Sequence, residues 1–320
     1  MLYPLTFKPI LMERVWGGRR LGSMYGKELP AEMPIGESWE VTDRPEGVSE
    51  IKNGPLAGKD LRWLMENRRD ELLGSAHDYD GRFPLLIKIL DASDKLSLQV
   101  HPPAHKAAEM NGEPKTEMWY VADATSNADV FVGLKNGVTP EQFREKVDNG
   151  SVAECFHRIE VSKGDVMFLP SGRVHALGAG SVIFEIQQNS NTTYRVFDWN
   201  RVGRDGNPRE LHIEQAMESI DFQDFEPGLV GDGFSGEPVG RRPLVEDPLF
   251  TVENFRACAG ESMVPSAGQC HVIACLSGEL SIEDAVSLKP GEFCLLPACL
   301  ESAKIKAASD SEWLMATPGE

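Results

Sequence analysis

Apolar residues along this chain fall mostly into short runs broken by Gly, Pro, Asn and Asp, and few stretches show helical spacing. Runs at residues 84–92 (PLLIKILDA), 95–101 (KLSLQVH), 116–123 (TEMWYVAD), 165–170 (DVMFLP), 181–188 (SVIFEIQQ), 193–199 (TYRVFDW), 271–282 (HVIACLSGELSI) and 292–298 (EFCLLPA) predict strands. Helical signals are few. Residues 58–74 set Leu61, Leu64, Met65 and Leu72 near helical spacing and end on glycine. Thr139-Pro140-Glu141 supplies an N-cap, a first-position proline and a first-turn acid, and a third helix is expected from near Arg209. Many short strands with turn signals between them predict a β-sandwich or barrel.

Residues 226–242 (EPGLVGDGFSGEPVGRR) are rich in glycine, carry two prolines and show no periodicity, so they read as a linker or long surface loop. The expected division is a catalytic domain at 1–225 and a small β domain at 243–320. The two share a weak pattern. SKGDVMFLP (162–170) and LKPGEFCLLP (288–297) are each a turn with Gly and an acid, then an apolar strand ending on Pro. The first copy leads into His175, whereas the second leads into Ala-Cys-Leu-Glu with no histidine. The chemistry is therefore expected in the N-terminal domain.

A formal charge of −18 repels a phosphate backbone, which argues against nucleic-acid binding and demands a local cation cluster if the substrate is anionic. No apolar run reaches the roughly 18–20 residues of a membrane span, and the first residues lack the pattern of an export signal. Six cysteines are too few for a disulfide scaffold here. The expectation is a soluble cytoplasmic protein with reduced thiols.

Three polar outliers converge on metal chemistry. In residues 95–101, period-two alternation sends Leu96, Leu98 and Val100 to one face and Ser97, Gln99 and His101 to the other. The same period groups Lys115, Glu117 and Trp119. The third is Gly164-x5-Pro170-x-Gly172-x2-His175, a strand, a tight turn and a histidine on the returning strand. Gln99, His101, Glu117 and His175 offer two imidazoles, one carboxylate and one amide, a set that suits Zn²⁺ and leaves room for water or substrate. Cys270-His271 with Cys275, Cys294 and Cys299 is a weaker cluster, because its spacing alternates strand faces and buried Cys is an ordinary small hydrophobe.

The spacing of the third motif is that of cupin barrels. The departures from the cupin pattern, Gln-Val-His and a distant Glu, resemble one cupin family: the type I mannose-6-phosphate isomerases, in a short bacterial form. The resemblance runs from Phe7 to about Trp199 through Trp16-Gly17-Gly18, Gly36-Glu37-Ser38-Trp39-Glu40, Leu98-Gln99-Val100-His101-Pro102, Pro114-Lys115-Thr116-Glu117-Met118-Trp119, the Leu169–Leu177 stretch around His175, and the Glu185–Val196 stretch. It implies two cupin-type jelly-roll β-barrels with a few short helices, the second without metal. It also implies one Zn²⁺ per chain on Gln99, His101, Glu117 and His175, and interconversion of mannose 6-phosphate and fructose 6-phosphate through an enediol. The expected partner is a phosphorylated hexose, with neither nucleic acid nor membrane, and the chain is expected as a monomer or homodimer. The alternative is a non-catalytic sugar-binding cupin whose metal is structural.

Lys115 shares a face with Glu117, and a dication beside it would ease loss of its proton, which suits proton transfer. Arg195, among apolar and aromatic neighbours, needs an anion: sugar phosphate or enediolate, or else a structural acid such as Asp198. The family pattern favours catalytic roles for both. Lys88, a charge amid an apolar strand, meets substrate or pairs with Glu37 or Glu40. Trp16 stands at the mouth of the site or in the core, and His105 is expected to cap a helix. Asn191 departs from relatives that carry aspartate there. An amide is no general base, so Asn191 is expected only to orient substrate or Arg195.

Overall fold

The computed structural model describes residues 1–203, 206–231, 233–300 and 302–320. It is mainly β. One six-stranded antiparallel sheet runs in the order Ile10–Gly18, Ile35–Val41, Leu85–Ala92, Ser181–Gln188, Glu117–Ala124, Val166–Leu169. A five-stranded sheet runs Tyr194–Phe197, Leu98–Val100, His175–Leu177, Asp129–Leu134, Phe156–Glu160. The C-terminal part repeats the arrangement with one sheet of five strands and one of four. Among the described residues, no helix is long and apolar enough to cross a membrane.

The central strands of the six-stranded sheet are apolar on both sides because both sides are covered. Ile87, Ile89, Met118, Tyr120, Phe184 and Ile186 pack against Phe250, Val272, Phe293, Leu295 and Leu314 of the C-terminal part in one shared core. Phe184 stacks on Phe293 with ring centroids 5.5 Å apart. Residues of the opposite parity, Leu90, Trp119, Val121 and Ile183, turn toward the five-stranded sheet and pack with its Val130, Val132 and Leu177. Lys88, Glu117 and Glu185 share that second parity, so the pleat carries three buried charged groups into the space between the sheets. The outer side of the five-stranded sheet is closed by Phe143 of the helix Pro140–Asp148 and Ala216 of the helix Ile213–Ser219, which pack with Leu98, Val100 and Ala176.

The internal pattern has a structural counterpart. Val166–Leu169 and Phe293–Leu296 are each the edge strand of a larger sheet. Asp165 accepts the Ser162 amide at 2.7 Å and Glu292 accepts the Lys289 amide at 2.8 Å, closing the same turn before each strand. The free edge of Phe293–Leu296 is covered by the N-terminus, through reciprocal amide bonds between Leu5 and Leu295. Residues 2–5 therefore pack with the C-terminal part although they belong to the stretch read as the N-terminal domain. The strand Val239–Asp247 starts inside the stretch 226–242, so residues 239–242 are strand where a linker was expected.

Other local expectations shift by a few residues. The helix expected over 58–74 is Leu61–Leu73, capped by Asp60 accepting from the Trp63 amide at 2.7 Å. Thr139 and Gln142 form a reciprocal capping box on Pro140–Asp148. The helix expected from Arg209 begins at Ile213. His105 does not cap: it lies within the short helix Ala104–Ala107, whose N-cap is Pro103. The strand read over 95–101 is only Leu98–Val100, because Leu96 is drawn into the core between the sheets while Leu98 and Val100 face the helices.

One irregularity builds a wall of the site. Glu13 and Gly18 both register opposite Ile35, so residues 14–17 form an excursion from the first strand. Its return requires glycine: a Cβ on Gly17 would lie 2.3 Å from the Gly36 nitrogen. Arg14 on the excursion grips Glu37 with two bonds of 2.7 and 3.1 Å, and Trp39 Nε1 donates to the same carboxylate at 2.6 Å. Burial pushes the Glu37 carboxyl up, but Lys88 and Arg14 outweigh it and hold it at about 2. Since this lies below the ordinary 4.5, Glu37 stabilises the fold fully above pH 4.5, and the contribution disappears as pH falls toward about 2. Glu37→Gln should lower the unfolding free energy by about 3 kcal/mol at pH 7 and by less than half of that at pH 3. Urea titrations at the two pH values check this. Equal losses at both would show that the carboxylate charge is not what holds the excursion.

Candidate active site

His175 opens the strand His175–Leu177 and registers opposite Gln99, so the two side chains stand on one rung. The Gln99 amide nitrogen lies 3.2 Å from His175 Nε2. His101 follows the end of its strand and is pinned by its carbonyl, which accepts the Gly172 amide at 2.9 Å. Glu117 enters from the other sheet at the first position of Glu117–Ala124. Lys115 and Thr116, just before it, are clasped to the Pro-Ser-Gly turn: Lys115 N donates to Ser171 Oγ at 2.9 Å and Ser171 N to Thr116 Oγ1 at 3.2 Å. The motifs around Glu117 and His175 thus fix each other.

Ring orientation follows from the carbonyls behind the histidines. A carbonyl only accepts, so His101 Nδ1–H donates to Thr192 O at 2.8 Å and His175 Nδ1–H to Arg173 O at 2.9 Å. Both Nε2 atoms therefore present lone pairs, His101 Nε2 toward Lys115 Nζ and His175 Nε2 toward the Gln99 amide, and they lie 3.7 and 3.3 Å from the Glu117 carboxylate. Burial holds both imidazoles below their ordinary range, His101 at about 3, so neither is a proton donor at neutral pH. Glu117 Oε1 is buried without a hydrogen bond. Three buried acceptors within 4.8 Å of one another, backed by carbonyls that set the tautomers, form a group that could hold a metal ion.

Lys115 Nζ contacts Glu117 directly and lies 3.3 Å from His101 Nε2 and 3.8 Å from Glu185. Burial opposes its charge, but Glu117 and Glu185 more than offset burial and raise its pKa. The protein's own residues therefore keep this proton on; the ease of loss expected from the sequence requires a dication.

A cavity of about 490 Å³ lies beside this group. Gln99 and Lys115 line it, with Arg14, Lys88, Arg195 and Arg209 as further cations and Glu13, Glu37 and Glu185 as acids. Cations and acids are thus interleaved on its walls. Trp16 and Asn191 line the same cavity; Trp16 is also buried in the core between the sheets. Several expected partners differ. Lys88 pairs with Glu185 at 3.0 Å, directly opposite it in register, rather than with Glu37 or Glu40, and Glu40 pairs with Lys27 at 2.6 Å. Arg195 is not paired with Asp198, which is bound by Arg201 and Arg209. Asn191 Nδ2 donates to Glu46 at 3.2 Å, and no hydrogen bond joins Asn191 to Arg195.

Glu185 was not singled out from the sequence as a site residue, yet it bridges Lys88, Lys115 and the Trp119 indole, which donates to it at 3.1 Å. Its signal was present: a lone acid in an apolar strand, as with Lys88. The cluster around Cys270 is a different environment. His271 is engaged at both nitrogens by Thr317 and Ser266, and burial raises the Cys270 and Cys275 thiols to about 12, which keeps them neutral.

Residues 5–124 match the model of the phosphomannose isomerase type I catalytic domain. The chain is 42% identical over 223 residues to a probable mannose-6-phosphate isomerase of Bacillus subtilis, GmuF, covering 69% of each. It is 34% identical over 318 residues to a mannose-6-phosphate isomerase of Streptococcus mutans, covering 94% of this chain and 95% of that one. The crystal structure of a Bacillus subtilis mannose 6-phosphate isomerase superposes with a TM-score of 0.90 at 29% identity, over 98% of this chain and 99% of the other. With near-complete coverage at such identity, and with the motifs of that family assembled around one cavity, this chain belongs to the type I phosphomannose isomerase family.

Proposed function

We propose that the protein interconverts mannose 6-phosphate and fructose 6-phosphate, with one Zn²⁺ held by Gln99, His101, Glu117 and His175. The observation that carries this is the buried trio of acceptors, in contact with Gln99 and Lys115, which line a cavity rich in cations. A half-turn of the Gln99 amide exchanges its oxygen and nitrogen without moving the side chain, and Ser97 Oγ, 3.4 Å from the amide oxygen, suits either orientation. Only one ligand is anionic, so a bound dication keeps net positive charge and supplies Lewis acidity toward two adjacent sugar oxygens.

The chain's own groups supply the rest. Interconversion moves a proton between C1 and C2 of the sugar through an enediol. Lys115 Nζ reaches the same corner as His101 and Glu117 and holds or releases a proton there. Glu185, between Lys88 and Lys115, holds both ammonium groups in the cavity. Arg195, with no carboxylate within 4 Å among the described residues and its Nε buried without a partner, offers a charge-assisted contact to enediolate or phosphate. Asn191, bonded to Glu46, contributes position rather than proton transfer. The paired sheets support the reading of two cupin-type barrels, with the catalytic one N-terminal. A sugar-phosphate substrate and six free cysteines support a cytoplasmic enzyme.

Incubation with mannose 6-phosphate should yield fructose 6-phosphate, chelation should abolish turnover, and Zn²⁺ should restore it. Full activity in protein shown by elemental analysis to be metal-free would remove the zinc assignment, and metal retention without turnover would leave a sugar-binding cupin. Glu117→Gln removes the only anionic ligand and should sharply weaken zinc retention.

Lys115→Met should lower kcat by at least ~10², and Arg195→Met should lower kcat/KM by roughly a hundredfold. Asn191→Asp should change kcat by less than about tenfold. A gain of several orders of magnitude in Asn191→Asp, from a near-inactive parent, would contradict the assignment of proton transfer to Lys115.

A further inference from the structure

A second cavity, of about 680 Å³, lies in the seam between the N-terminal and C-terminal parts and shares no lining residue with the first. Phe7, Leu11 and Tyr25 of the N-terminal part and Val286, Leu288 and Phe293 of the C-terminal part give it apolar walls. The wall at Tyr25 is closely fitted: Gly291 stands at φ +80°, and a Cβ there would collide with the tyrosine ring. An ion pair sits among these apolar groups and lines the same cavity. Lys27 Nζ is 2.6 Å from Glu40 Oε1, with the two side chains 8% and 6% exposed. The proposed reaction uses neither residue, and a buried ion pair is weak support for stability, since well-packed apolar residues serve as well.

The sheet delivers Glu40 to this side. Trp39 registers with Lys88 and Val41 with Ile87, so Glu40 is the extra residue of a bulge. Glu37, on the same strand, lines the catalytic cavity instead. The pair is also incompletely satisfied. Lys27 and Ser38 Oγ, at 2.6 and 2.5 Å, both engage Oε1, which leaves Oε2 as an acceptor. Beyond Glu40, Lys27 Nζ reaches the Gly291 carbonyl at a long 3.4 Å, so the ammonium keeps a donor to offer. Burial lifts the Glu40 carboxyl above its ordinary range in spite of Lys27 and Ser38, as befits a carboxylate short of donors.

Charge then limits what enters. The lining carries three lysines, Lys8, Lys27 and Lys52, against three glutamates, Glu28, Glu40 and Glu292. A charged ligand of either sign therefore meets as many like charges as opposite ones. A hydroxyl meets no such conflict, because its oxygen accepts from Lys27 while its hydrogen is donated to Glu40. Two hydroxyls on neighbouring carbons fill the free donor and the free acceptor together, and the C–H face of a sugar ring suits the apolar walls.

We propose that the seam cavity is a second binding site, for an unphosphorylated pyranose sugar whose neighbouring hydroxyls bridge Lys27 and Glu40. The site rests on this cavity alone and stands independently of the isomerase reading.

Methyl α-D-mannopyranoside and methyl α-D-glucopyranoside are the probes: their locked anomeric carbons cannot be isomerised, and between them they present cis and trans neighbouring hydroxyls. Calorimetry with the full chain should detect binding of at least one. The double variant Lys27→Met/Glu40→Gln, which removes both charges together, should bind that glycoside at least ~10-fold more weakly. Ser287→Trp places an indole at an exposed lining position on an edge strand, away from the ion pair, and should weaken binding similarly. Its mannose 6-phosphate turnover and circular dichroism should match the parent's. Lys115→Met, in the catalytic cavity, should leave the glycoside affinity unchanged. A parent that binds neither glycoside would overturn the site, as would affinity unchanged in either seam variant or lost in a folded Lys115→Met variant. Displacement of the glycoside by inorganic phosphate would overturn the choice of a neutral ligand.

Discussion

The structure is organised around a buried group that lacks a proton. Glu117 lies at 0% exposure between two imidazoles whose only N–H groups point away, to Thr192 and Arg173 carbonyls. Burying a carboxylate without donors is costly, and the relief comes from Lys115, which contacts it directly; with the two histidine lone pairs Glu117 forms a group that could hold a metal ion. Both sheets are committed to this arrangement. One contributes Glu117, the other Gln99 and His175, and the clasp between Thr116 and Ser171 ties their approach.

The C-terminal part shows the same framework without that demand. Its edge strand and acid-closed turn repeat those of the N-terminal part. Its interior, however, is packed with Ile273, Cys275, Leu280, Cys294 and Trp313. Its outer face instead backs the six-stranded sheet, so that the strands bearing Lys88, Glu117 and Glu185 are held from behind by a continuous core. The C-terminal part thereby supports the site mechanically.

What could be read from the sequence was whatever depends on local period. The alternation Lys115, Glu117, Trp119 and the histidine after a Pro-Gly turn put the right side chains on one face, and a lone lysine in an apolar strand marked Lys88 as an inward charge. What could not be read depends on register between distant strands. Lys88 meets Glu185 because the sheet sets them opposite each other across 97 residues of sequence. The excursion at residues 14–17 exists because Gly17 can touch Gly36. Arg195 has no carboxylate bonded to it among the described residues because Arg201 and Arg209 occupy Asp198, an outcome that the closeness of Arg195 to Asp198 in sequence does not reveal. The proposed ligand set and the reaction come from the family motifs; composition and periodicity alone leave both open.

The central claim is that these four side chains bind one zinc ion, and anomalous diffraction at the zinc edge tests it most directly. Crystals of zinc-loaded protein should show one strong peak within bonding distance, about 2.0–2.2 Å, of His101 Nε2, His175 Nε2 and a Glu117 oxygen, with the Gln99 amide oxygen turned toward it. A peak elsewhere, or none in this corner while Lys115 keeps its contact with Glu117, would contradict the account.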